Sequence, residues 1–91
     1  LKAAANAGEP RAMLVYGTAL FNGDGVPENR TWAYAMVSRA AAKGLAPARA
    51  TLEEMDQLIP LEDRKQGVAI AQALEARSQA GVPPAAAKPP A

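Results

Sequence analysis

In this 91-residue sequence, Glu53, Glu54 and Asp56 form an acidic cluster of the kind acid–base chemistry uses. A carboxylate pair works as acid and base when one member is enclosed and holds its proton while the other stays ionised. Successive helical residues such as Glu53 and Glu54 point about 100° apart, and no apolar enclosure surrounds them in the sequence. The triplet reads as a solvated face, with an acidic patch for a partner as the alternative. Asn22-Gly23-Asp24-Gly25 has the outline of a calcium loop, but it lacks the further oxygen ligands and the bidentate glutamate that such loops need. It reads as a structural turn. Ser38 and Ser78 are the only serines, and histidine and cysteine are absent. No Ser–His or Cys–His unit can be assembled, and Lys43 or Lys65 would activate a serine only in a desolvated site. The expectation is a non-enzyme with no catalytic group, metal or cofactor.

The elements around these residues carry more information. Residues 1–7 read as the end of a helix stopped at Gly8, and Pro10 suits the first turn of the next. That helix runs to about Phe21, where the glycines at 23 and 25 permit positive φ. Pro27 fixes the exit and Asn29 caps a helix with apolar residues at 33, 36, 37, 40 and 41, the i, i+3, i+4, i+7, i+8 stripe of one face. Gly44 ends it. A further helix from about Pro47 places Ala48, Leu52, Met55 and Ile59 on one side, and Leu58-Ile59-Pro60-Leu61 breaks it. Glu62 and Asp63 open a last helix to about Ser78, with Gly67, Ile70, Ala71 and Leu74 inward.

Two endings coincide at a fixed spacing. Ala4, Ala5, Gly8 and Ala12 match Ala40, Ala41, Gly44 and Ala48, each pair 36 residues apart. A constant period with helical periodicity inside it points to a helical solenoid. The stretch Ala12, Tyr16-Gly17, Gly23-Asp24-Gly25-Val26, then Ala33, Met36-Val37, Ala40-Ala41, Gly44 and Ala48 resembles a Sel-one-like repeat, a relative of the tetratricopeptide repeats. Leu20 stands where that pattern has an aromatic, and Met36 where it has Trp. The resemblance covers one repeat and the tail of another, about half of the chain. It implies an all-α fold, an α-α superhelix with its last helix as a C-terminal cap. On this reading residues 1–8 end a preceding repeat and 9–46 form a complete one. Residues 47–80 are a degenerate terminal repeat with the capping helix, and 81–91 a Pro/Ala-rich linker. The expected core is Tyr16, Leu20, Ala33, Met36, Val37, Ala40, Leu52, Met55, Ile70 and Leu74.

Composition limits the partners. Hydrophobic residues make up 49% of the chain but aromatics only 4%, so the core is thin and alanine-rich. A net charge of +1 gives no reason to expect nucleic acid. No apolar run approaches the ~20 residues of a membrane span, so no direct membrane insertion is expected.

The resemblance further implies that the first helix of each repeat lines a concave side. Arg11, Leu14, Thr18 and Phe21 would then share a face able to hold a protein or peptide partner, unless an upstream repeat covers Leu14 and Phe21. Trp32 lies off the apolar stripe. It either shields the loop at Pro27 and Met36 or serves as an exposed aromatic anchor. The leading expectation is therefore a non-catalytic protein–protein interaction scaffold. The alternative is a structural spacer that positions a downstream peptidoglycan-binding module in a bacterial cell-envelope protein. The compartment is not fixed by the sequence, with the bacterial periplasm or cell envelope favoured over the cytoplasm.

Overall fold

A computed structural model describes residues 2–79; the linker assigned to 81–91 lies outside the described residues. Among the described residues there are five helices and no strand: α1 (Lys2–Asn6), α2 (Pro10–Asn22), α3 (Arg30–Ala42), α4 (Ala46–Leu58) and α5 (Leu61–Gln79). The expected all-α architecture is therefore observed.

Local chemistry sets the ends. Gly8 and Gly44 both adopt positive φ, +87° and +92°. Each is followed by the same backbone bond, Glu9 N–H to Ala4 C=O at 3.1 Å and Leu45 N–H to Ala40 C=O at 3.3 Å. This is the left-handed glycine stop that satisfies orphan carbonyls of a helix end. It occurs twice, 36 residues apart. The Asn29 side chain accepts the Trp32 N–H at 3.1 Å, as expected of a cap. Glu9 is a cap that the sequence reading missed: its carboxylate accepts from Arg11 N–H at 3.2 Å and Ala12 N–H at 2.6 Å.

α3 is the central helix, with α2, α4 and α5 all packed on it, while α1 packs on α2. Leu20, Ala33, Met36, Val37, Ala40 and Met55 are buried as expected. Tyr16, Leu52 and Leu74 are only partly buried, though they pack against that core, and Ile70 is also half-buried. Their places are taken by Met13, Tyr34 and Ile59. Met13 lies four residues before Gly17 and seven before Leu20, on the same helical stripe.

Close approach of α2 to α3 depends on Gly17. A Cβ there would lie 2.8 Å from a Val37 methyl and 3.1 Å from the Ala33 carbonyl oxygen. α5 approaches α3 by the same device, since a Cβ on Gly67 would lie 2.9 Å from the Thr31 carbonyl oxygen and 3.0 Å from the Tyr34 ring.

α5 has α3, and not the preceding α4, as its principal neighbour. The reason is visible in α4, where Glu53 and Asp56 stand 36 residues after Gly17 and Leu20. A glutamate leaves α4 without the small position that lets a second helix approach. Asp56 also departs from the solvated acidic face expected of it. It is half-buried and accepts a 2.7 Å hydrogen bond from the Tyr34 hydroxyl. Glu53 and Glu54 are exposed as expected. Burial, and then the Asp56 hydrogen bond and charge, push the Tyr34 phenol up to about 12, against a smaller opposing effect of Arg64. Arg64 itself closes the α4 end, donating from Nε to the Ile59 carbonyl at 2.9 Å.

Candidate functional site

Between α2 and α4 the surface opens into a groove. One end is lined by Leu14, Val15, Thr18, Ala19, Asn22, Asp24 and Thr51, with a volume of 390 Å³. It continues through the shared Thr18, Asn22 and Thr51 into a second recess of 200 Å³ that adds Phe21, Glu54, Met55 and Leu58. The helix stops described above place α2 and α4 side by side on α3, which gives the groove its two walls.

Three of the four residues expected on a common face, Leu14, Thr18 and Phe21, line this groove. Arg11 does not. It is exposed in the first turn of α2, where its backbone N–H is engaged by Glu9. Thr18 donates its hydroxyl to the Leu14 carbonyl at 2.8 Å, which holds its methyl and hydroxyl along the helix. Phe21 is half-buried, with the Arg30 guanidinium 4.6 Å from its ring centroid. Val15 and Leu58 flank the groove with 52% and 59% of their surface exposed. Two of the five large exposed hydrophobic residues among those described therefore line one feature.

The α4 wall was not expected, yet its signal was present. Thr51, Glu54, Met55 and Leu58 stand 36 residues after Val15, Thr18, Ala19 and Asn22. The same offset relates Gly67 to Thr31, which it touches, and Glu75 to Arg39, with which it pairs. Residues 36 apart thus adjoin at Gly67 and Thr31 and at Glu75 and Arg39, and line the same recess at Val15 and Thr51 and at Thr18 and Glu54. The only charged residues lining the groove are Asp24 and Glu54, so its electrostatic character is acidic.

Trp32 lies elsewhere. It is 37% exposed and borders a separate cleft with Tyr16, Leu20, Leu74, Asn29 and the basic residues Lys2 and Arg77. Among the described residues, no group of three or more His, Cys, Asp or Glu side chains is placed to hold a metal ion. No described helix is long and apolar enough to cross a membrane. Compared with families of known proteins, curated proteins and solved structures, the chain has no match.

Proposed function

We propose that the chain is a non-catalytic protein-interaction module of the Sel-one-like, tetratricopeptide-related kind. Its α2–α4 groove holds an extended peptide that carries apolar side chains beside a lysine or arginine. The observation that carries the reading is the groove itself: apolar residues left partly exposed along a two-helix trough, with acidic residues as its only charges. Apolar anchors give such a peptide its affinity, and the basic residue faces Asp24 or Glu54, which sets its register.

The superhelical part of the proposal rests on the 36-residue offset, which governs both the sequence pattern and the residues that adjoin in space. Two helices of an α-α array that occupy equivalent places in successive repeats run side by side in one sense. α3 and α5 satisfy this, with Gly67 against Thr31 and Glu75 against Arg39. α5 then serves as the terminal cap, laid over α3 with a largely polar outer side.

A random dodecapeptide library displayed on phage and selected on the immobilised chain tests the binding role. The enriched peptides should combine apolar residues with Lys or Arg. The double substitution Thr18→Lys/Leu58→Lys changes two exposed groove positions and cancels the acidic charge of Asp24 and Glu54. It should weaken the selected peptides at least tenfold in calorimetric titration. Unchanged affinity, or enrichment of acidic peptides, would reject the proposal.

A further inference from the structure

Arg39 is the one buried charged side chain among the described residues, and its guanidinium is poorly satisfied. Nε, Nη1 and Nη2 are all enclosed, and none has a hydrogen-bond partner. The nearest acid is Glu75, whose Oε1 lies 3.6 Å from Nη2, an ion-pair distance. Lys43 Nζ approaches that same oxygen at 3.9 Å. Two cations therefore face one carboxylate, and five guanidinium N–H donors go unmet in a buried place. Native interiors rarely leave such a group without acceptors, because desolvation of the charge is costly.

These residues border a 480 Å³ cleft between α3 and α5. On the inner side the guanidinium is closed off by the turn after α1, since a Cβ at Gly8 would lie 3.5 Å from Nη2. On the outer side stands Glu75, with 35% of its side chain exposed. Ala42, Val68 and Ala71 supply an apolar wall, with Val68 40% exposed, and Ser38 and Gln72 supply polar edges.

We infer that this cleft receives a carboxylate borne on a short apolar stem, as at the end of a peptide or in a small free acid, and that the ligand takes the place Glu75 now holds. A planar carboxylate can accept two parallel N–H bonds from a guanidinium, which meets the donors that Glu75 leaves unmet. Once Glu75 is displaced, both Arg39 and Lys43 face the incoming carboxylate. The stem lies along the alanine and valine wall. This site is on the α3–α5 side of the molecule and does not rest on the α2–α4 groove.

The test uses the full chain labelled with 15N and two probes, N-acetyl-alanyl-valine and butyrate, each as the free acid and as the amide. The acids should shift the Arg39 Nε–H resonance in a saturable way, and the amides should not. Response to the peptide acid alone identifies a peptide end as the ligand, and response to both acids identifies any short carboxylic acid. Arg39→Lys, which keeps the charge but loses the planar fork, should weaken acid binding at least tenfold while circular dichroism confirms the helices. Glu75→Gln should tighten it severalfold by removing the competitor. No acid-specific shift, or equal or weaker binding in Glu75→Gln, would overturn the inference.

Discussion

α2 and α3 meet through a glycine, whereas α4 and α5 follow them in the sequence at the same period and do not meet that way. At Gly17 the helices close on each other through the absence of a Cβ. Thirty-six residues later Glu53 projects into water, and α5 goes to α3. There it is held by a second glycine contact at Gly67 and by Glu75 on Arg39, while the Tyr34–Asp56 hydrogen bond ties α3 to α4. Contacts between residues 36 apart are thus present between α3 and α5, while the glycine contact of α2 with α3 has no counterpart between α4 and α5.

That contrast can be broken most severely by removing α5. A chain ending at Pro60 uncovers Tyr34, Arg39 and the α3 face on which α5 packs, and removes the Glu75 counter-charge of Arg39. Loss of the cooperative thermal transition is expected in calorimetry; a melting temperature within about 5 °C of the parent would show that α5 is not integral to the fold.

The glycine positions give the next largest effects. Gly17→Ala and Gly67→Ala each place a methyl within about 3 Å of a carbonyl oxygen or side chain. Overpacking of this kind costs ~1–3 kcal/mol, against the ~1 kcal/mol that alanine gains in helix propensity. Val at either site removes that propensity gain and should be worse. Glu53→Ala, at the equivalent but exposed position, should change stability by less than about 0.5 kcal/mol in urea denaturation. A Glu53→Ala cost equal to that of Gly17→Ala would erase the distinction between the two helix pairs.

Tyr34→Phe should cost roughly 1–2 kcal/mol at neutral pH, because Asp56 loses a donor in a half-buried place. Its pH dependence sharpens the assignment. The folded state holds the phenolic proton more tightly than the unfolded chain, about 12 against 10.0. The stabilisation is therefore complete below pH 10 and is lost as pH rises from 10 to 12, by roughly 2–3 kcal/mol at most. Denaturation midpoints of the parent should fall across that window, and the Phe variant should lack this part of the fall. Asn29→Ala should cost about 1 kcal/mol for the lost cap on the Trp32 N–H.

Much of this was legible in the sequence because backbone chemistry is local. Gly8, Pro10, Asn29 and Gly44 mark helix ends through φ, a missing N–H or a short polar side chain, and the structure places the ends there. Leu14, Thr18 and Phe21 could be assigned one face from helical spacing alone. Tyr34, Arg39 and Asp56 could not. Each is a polar residue whose burial depends on a partner far along the chain, 22 residues away for Tyr34 and Asp56. Periodicity treats such residues as solvent-facing. The α4 wall of the groove lies between these cases, since the 36-residue offset points to Thr51, Met55 and Leu58 once α2 is taken as the template.

The proposed recognition face lies between α2 and α4. Titrating the 15N-labelled chain with a peptide selected on it maps that face directly. The account predicts that amide shifts concentrate at Leu14, Thr18, Phe21, Thr51, Met55 and Leu58 and leave the Trp32 cleft unchanged. Shifts centred instead on Tyr16, Trp32 and Leu74, with α4 silent, would contradict it.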